Sequence, residues 1–211
     1  MWAGRPASGI AKAAVAGPLH LGPTGFAGDE QADLRMHGGP EKAVHHYAAD
    51  HYPLWQAELG PNPRFVAGGF GENISTIGLT EDDLCIGDVL AMGRARVQIS
   101  QGRQPCWKLT AHTGIADMAR RVQASLRTGW YYRVLEPGEV APGDILRLID
   151  RPHDGFTLRR VTGARLGHAT DRAEAARLAA LDHLAPGWRA AFQRKAERPD
   201  EIEDDRPRLD G

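Results

Sequence analysis

Short apolar stretches separated by glycine and proline run through residues 1–155. Stretches of this kind, rich in branched residues and bounded by turn residues, are typical of strands in a curved or closed sheet. The four clearest begin at residues 85, 95, 130 and 143 and read CIGDVLAMG, ARVQIS, WYYRVLE and GDILRLID. The pattern predicts a mainly β domain over residues 1–155 that also contains some helix.

One longer segment, residues 37–60, has helical rather than alternating spacing. Pro40 suits a first helical position and Gly60 a stop, so the segment predicts one helix, and Pro53 is expected to kink or divide it. Its apolar and aromatic positions recur every three or four residues and predict one buried stripe, formed by Val44, Tyr47, His51 and Trp55.

The pattern changes after residue 155. Residues 156–198 lose the strand signal and predict a small appendage of three short helices, TLRRVTGARLG, DRAEAARLAALDHL and PGWRAAFQRKAE. Asp171 can cap the second helix and Pro186 can begin the third. The remaining residues, 199–211, are charged and nearly free of apolar side chains, so we expect a disordered tail.

Composition excludes several classes of function. A formal charge of −1 does not suit a broad nucleic-acid surface, and the mixed charges of the three helices do not favour DNA binding. No stretch approaches the roughly 20 apolar residues of a membrane span, and no secretory signal is evident. The two cysteines, without a CxxC motif, favour a reducing, cytoplasmic setting over a disulfide scaffold.

The stretch QGRQPCWKL, residues 101–109, places Cys106 where a predicted strand leaves the sheet. Loops on a rigid sheet often carry chemistry, and the neighbouring cations Arg103 and Lys108 would favour a reactive or metal-binding thiolate. The residues alone leave open the alternative of a buried, inert thiol. Cys85 lies in an alternating stretch without a nearby cation, which indicates core packing.

Other motifs are less specific. HGGPEKAV combines paired glycines, a helix start and Lys42, which suits an anion, but it lacks the spacing of a phosphate-binding Walker loop. Asn73 in FGENI can stabilise its own turn. Ser100 lacks the context of a nucleophile elbow. The clustered histidines lack zinc-site spacing; they are His37, His45, His46 and His51.

Several blocks together carry a family resemblance: GFAGDEQADLRMHGGPEKAVHHY, FGENI followed by GLTEDDLCIGD, QGRQPCWKL, and RTGWYYRVLEPG. In this order they resemble MOSC-domain proteins of the YiiM type over about residues 4–155. Residues 157–198 are similar to the three-helix "3-alpha" domain of the same family. The resemblance implies a MOSC β-barrel-like domain followed by the small three-helix appendage.

The resemblance also implies a function. Relatives bind molybdenum cofactor (Mo-molybdopterin) and reduce N-hydroxylated compounds such as 6-N-hydroxylaminopurine to amines. A separate flavin or iron–sulfur reductase supplies the electrons. Cys106 matches the cysteine that ligates molybdenum, and Asn73 would orient a metal oxygen or the substrate. The expected cofactor-binding residues are Arg103, Lys42, Arg35 and Asn73.

Three further expectations follow. A general acid is needed, for which Asp29 and His37 are guesses. Family members usually carry a strand before the segment matching GRPASGIAK. Either the start of this sequence is trimmed or misassigned, or an edge of the barrel is left unpaired, which would favour a homodimer. Two other functions remain open: a sulfur carrier using a Cys106 persulfide, and a non-catalytic protein that binds or transfers the cofactor.

Overall fold

A computed structural model describes residues 8–29, 38–167, 170–201 and 203–210. The strands in these ranges are β1 Leu19–Gly22, β2 Gly25–Phe26, β3 Val44–Ala48, β4 Ile74–Thr76, β5 Val89–Met92, β6 Ala95–Gly102, β7 Trp130–Glu136, β8 Gly138–Val140 and β9 Arg147–Asp150. The helices are α1 His51–Leu59, α2 Trp107–Thr113, α3 Met118–Ser125, α4 Leu158–Leu166, α5 Arg172–Ala179, α6 Pro186–Glu197 and α7 Arg206–Leu209, with a short 3-10 helix at Pro40–Lys42.

The strands form two sheets. A six-stranded sheet in the order β4-β3-β7-β6-β5-β9 curls into a half-barrel, and a smaller sheet has the order β2-β1-β8. Neighbouring strands run antiparallel except β3 and β4, which are parallel. The predicted fold class, a barrel-like β domain followed by a helical appendage, is confirmed.

The long predicted strands occupy the middle of the larger sheet. ARVQIS forms most of β6 and WYYRVLE forms β7, so both predictions are confirmed. Every residue of β6 from Val97 to Gly102 is buried, although only alternate side chains of a strand share a face. Both faces of β6 are therefore covered.

The prediction of one helix over residues 37–60 is wrong in its first half. Val44–Ala48 is the strand β3, which lies between β7 and β4 and is buried at all five positions. A short strand that is buried on both faces has no alternation of polar and apolar side chains to distinguish it from a helix. Helix α1 begins only at His51, and Pro53 lies in its first turn, where an amide N–H is not needed. The helix continues past Pro53 to Leu59 without division.

The three predicted helices of the appendage are present as α4, α5 and α6. Asp171 caps α5 by accepting a hydrogen bond from the Glu174 amide at 2.8 Å, and Pro186 begins α6, as expected. No helix in the described ranges has both the length and the apolar character required to span a bilayer.

The appendage packs directly on β6. A Cβ at Gly102 would lie 2.1 Å from Thr162 Oγ1 on α4 and 3.1 Å from the Trp188 ring on α6, so glycine permits the close approach. The Ala185 amide donates to the Ser100 carbonyl at 2.9 Å. One hydrophobic core therefore includes side chains from both parts of the chain, such as Val97 and Phe192.

The charged C-terminal segment differs from the disordered tail that we expected. Residues 203–210 include α7, and Leu209 is only 4% exposed. Arg120 on α3 binds the Asp210 carboxylate through a bidentate contact of 2.7 and 2.6 Å. One buried apolar side chain and complementary charges hold the segment in place. Composition could not reveal this, because the partner residues are distant in sequence.

His46 of β3 is a fully buried histidine with a structural role. Its Nδ1 lies 3.0 Å from the Tyr132 hydroxyl and its Nε2 lies 2.8 Å from Thr76 Oγ1. Burial lowers the pKa of His46 to about 3. The imidazole is therefore neutral in the folded protein near pH 7.

This burial predicts a loss of stability in acid. An unfolded histidine takes up a proton below its ordinary pKa of 6.5, whereas folded His46 does so only near 3. The stabilisation is complete above pH 6.5 and falls as the pH drops towards 3, by up to about 1.4 kcal/mol per pH unit. Urea denaturation between pH 7 and 5 should show a shallower pH dependence in His46→Gln. His20→Gln, at an exposed residue of β1, is the control, and equal slopes in all three proteins would contradict the prediction.

Candidate functional site

Cys106 lies where the chain passes from β6 to α2. The Cys106 loop, residues 103–106, follows Gly102 at the end of β6, and Cys106 immediately precedes α2 in extended conformation. Its side chain is half-buried, and neither of the chain's two cysteines forms a disulfide. Cys85, by contrast, is 1% exposed, and desolvation raises the pKa of its thiol. The two thiols have different surroundings, and Cys106 is the more accessible.

Arg103 begins the same loop but its side chain points inward. It is 7% exposed, and its backbone amide donates to the Gly129 carbonyl at 2.9 Å. Within the described residues, its buried Nη1 has no hydrogen-bond partner. A buried guanidinium N–H without an acceptor is costly, so this atom is suited to a ligand oxygen or an ordered water.

His45 on β3 presents a second such atom. It is 5% exposed, and its Nε2 is buried without a partner in the described part of the chain. Burial first, and then the positive charge of Arg103, lower the pKa of His45 well below its ordinary value. The result is a neutral imidazole that can donate or accept one hydrogen bond, depending on its tautomer.

Tyr131 on β7 lies among these groups. Its ring centroid is 5.1 Å from that of His45, and Lys42 Nζ is 6.0 Å from the ring centroid. Desolvation raises the pKa of its phenol, Arg103 lowers it and Cys106 raises it, so Arg103 and Cys106 both act on the same hydroxyl. The structure thus brings Lys42, Arg103 and Cys106 together around a tyrosine and a histidine.

Asn73 is engaged by the protein. Its Oδ1 accepts from the His45 amide at 2.9 Å, its own amide donates to the His45 carbonyl at 2.8 Å, and its Nδ2 donates to Asp29 at 2.8 Å. Asp29 also forms an ion pair with Lys12. These bonds assign Asn73 the role of holding β3 and His45 in position. Its expected contact with a metal oxygen or substrate stays a prediction, as does the guess of Asp29 as an acid.

A buried carboxylate supports the backbone of the site. Glu81 is fully buried; one of its oxygens accepts from the Gly129 amide and the other contacts His51 Nε2, both at 2.7 Å. The carbonyl of Gly129 in turn accepts from the amide of Arg103. Glu81 therefore fixes the backbone that positions Arg103.

Some expected residues are not tested. Arg35 and His37 lie outside the described residues, and Lys108 is a half-buried residue in the first turn of α2. Among the described residues there is no group of three or more histidine, cysteine or acidic side chains suited to a metal ion. Sequence reasoning missed His45, Tyr131 and Glu81 as site residues. His45 was considered in the sequence only as a possible zinc ligand.

A half-barrel with a helical appendage and a half-buried thiol in the same loop as the buried Arg103 defines the class of protein. The sequence model of the MOSC domain matches residues 33–147, and that of the "YiiM-like, 3-alpha helix domain" matches residues 157–198. The chain therefore belongs to the MOSC-domain family, in its YiiM-like branch with the 3-alpha domain.

Individual proteins agree with this assignment. The chain is 41% identical to protein YflK of Bacillus subtilis (strain 168), with 90% of this chain and 86% of that protein covered. It is 39% identical to protein YiiM of Escherichia coli (strain K12), covering 91% and 85%. The crystal structure of Escherichia coli YiiM is similar with a TM-score of 0.83 at 35% identity, covering 92% of each chain.

A longer fungal protein contains a related segment. The chain is 37% identical to a protein named "Reductase" from Gibberella moniliformis (strain M3125 / FGSC 7600), over 75% of this chain and 28% of that protein. The chain thus spans less than a third of that relative.

Proposed function

We propose that this protein reduces N-hydroxylated compounds to amines with a molybdenum cofactor bound through Cys106. The observation that carries the proposal is a pair of buried nitrogens without a partner among the described residues: Arg103 Nη1 in the Cys106 loop and His45 Nε2 on β3. MOSC domains are generally associated with molybdenum-cofactor binding, and the fungal relative is named a reductase.

The residues present fit this group. A cysteine thiolate is a soft ligand of the kind that suits molybdenum, and Cys106 is accessible enough to supply it. The cofactor is a phosphorylated pterin, so its anionic oxygens suit Arg103 Nη1 and the nearby Lys42. Arg35, expected to assist, lies outside the described residues. When bound, the molybdenum centre supplies the two-electron redox chemistry.

The protein's own residues would position the substrate. The N–OH group gains two electrons and two protons, the N–O bond breaks, and the products are an amine and water. Neutral His45 can hold the substrate oxygen or a proton at Nε2, while Tyr131 borders the same space. Asn73 holds His45 through two backbone contacts. A separate flavin or iron–sulfur reductase is the electron donor in this proposal.

Metal analysis tests the proposal most directly. Full-length protein from a host that makes the pterin cofactor should contain near-stoichiometric molybdenum, and protein from a host unable to make it should contain none. With a chemical reductant, only the first preparation should convert 6-N-hydroxylaminopurine to the amine. Absence of molybdenum from both preparations would contradict the proposal.

Molybdenum content and turnover, together with the oxidation state of the Cys106 sulfur, separate the two alternatives. A persulfide on Cys106 without molybdenum would indicate a sulfur carrier. Bound molybdenum without turnover of any hydroxylamine tested would indicate a carrier of the cofactor. Reduction of the N–OH group by protein that contains molybdenum would support the proposed reductase activity.

A further inference from the structure

The C-terminal segment 203–210 reaches the Cys106 loop. Arg208 on α7 donates through Nη1 to the carbonyl of Pro105, the residue directly before Cys106. The other terminal nitrogen of the same guanidinium donates to Gln123 Oε1 at 2.8 Å. Since a guanidinium is planar, these bonds fix the orientation of the group as well as its position. One arginine therefore joins the loop to helix α3.

Helix α3 holds the segment at further points. Gln123 Nε2 donates to Asp205 Oδ2 at 2.8 Å, and Asp205 also pairs with Arg208. Near the end of the segment, Arg120 contacts both carboxylate oxygens of Asp210. Arg208 is thus held by the Asp205 carboxylate and by the side-chain amide of Gln123, both through Nη2.

The other end of the segment is attached to the three-helix appendage. Arg165 on α4 is 8% exposed and binds Glu203 through two contacts of 2.5 and 3.0 Å. Lys195 on α6 donates to the carbonyls of Ala164 and Gly167 at 2.8 Å, which ties α6 to the end of α4. The segment therefore has one fixed point on the appendage and one on the Cys106 loop.

We propose that residues 203–210 act as a clamp that fixes the Cys106 loop to α3 and to the three-helix appendage, with Arg208 as the positioning residue. The importance of a fixed Cys106 rests on the proposed function, but the clamp itself does not. A loop held at Pro105 presents the next side chain in one position, which a metal ligand requires. The appendage then stabilises the site through this segment as well as through β6.

The rate at which Cys106 is alkylated reports how firmly the clamp holds the Cys106 loop, and it can be measured without molybdenum. In full-length protein lacking the cofactor, iodoacetamide labelling of Cys106 is followed by peptide mass spectrometry, which distinguishes it from Cys85. Arg208→Ala should raise the labelling rate about two- to tenfold, because loss of the charged hydrogen bond lets the loop open more often. The thermal unfolding midpoint should change little, since α7 is a short surface helix.

Two variants give the controls. Arg206→Ala lies on the same helix, but its side chain is 79% exposed and contacts Asp204 rather than the loop, so labelling should stay at the wild-type rate. Arg208→Lys keeps a donor for the Pro105 carbonyl and should return the rate towards wild type. A wild-type rate in Arg208→Ala, or an equal increase in both alanine variants, would overturn the proposal. Neither result depends on whether the wild-type protein binds molybdenum.

Discussion

Under the proposed function, replacing Cys106 by serine should remove bound molybdenum and reduce N-hydroxylamine turnover by at least about a hundredfold, a larger loss than that typical of residues supporting a metal ligand. A serine hydroxyl keeps its proton near neutral pH and is a hard oxygen donor, whereas a thiolate is a soft ligand. The side chain is half-buried at the edge of a loop, so exchange of sulfur for oxygen should leave the fold intact.

The control for this variant is the second cysteine. Cys85 is 1% exposed and lies near the junction with α4, so Cys85→Ala should lower stability modestly but keep molybdenum and turnover. Molybdenum is measured by elemental analysis and folding by circular dichroism. Full turnover in Cys106→Ser with the cofactor present would rule out the proposed role of this thiol.

Gly129→Ala should destabilise the protein by about 2 to 5 kcal/mol, from the left-handed backbone together with the steric overlap. Gly129 has φ +74°, and an added Cβ would lie 2.3 Å from the His46 carbonyl oxygen and 3.0 Å from His45 Nε2. The β3 backbone would have to move, and with it the two bonds that link Glu81 and Arg103 through Gly129. Urea denaturation at pH 7 measures the loss.

Gly143→Ala separates the two contributions. Gly143 has φ +91°, but an added Cβ would meet no heavy atom within 4 Å. Gly143→Ala should therefore lower the free energy of unfolding only through the strain of the left-handed backbone, by about 1 to 2 kcal/mol. If both variants lost the same stability, close packing at Gly129 would not be the cause.

The sequence was most informative where local rules decide the structure. The strands around Val97 and Val134, the cap at Asp171 and the helix start at Pro186 were all predicted, because alternation, capping and proline geometry act within a few residues. The prediction failed at β3. Burial of every side chain from Val44 to Ala48 comes from neighbours far along the chain, and no local pattern records it.

The residues of the candidate site also fall into those that the sequence could identify and those that only the tertiary structure could identify. Cys106, Arg103 and Lys42 could be selected because their residue types and the surrounding blocks were informative by themselves. His45 and Tyr131 could not, because their proximity depends on the antiparallel register of β3 and β7, which pairs these two residues directly. Asn73 was selected, but its hydrogen bonds to the His45 backbone became apparent only in three dimensions.

By itself, then, the sequence determined the mainly β domain, the three helices, the family and the cysteine on which the proposed chemistry depends. Only the tertiary structure placed His45 and Tyr131 beside Arg103, and only it brought the charged C-terminal segment against the Cys106 loop. The reason is physical. Periodicity and capping are interactions between near neighbours, whereas strand register and long-range ion pairs join residues separated by many positions, as Arg208 and Pro105 are by 103.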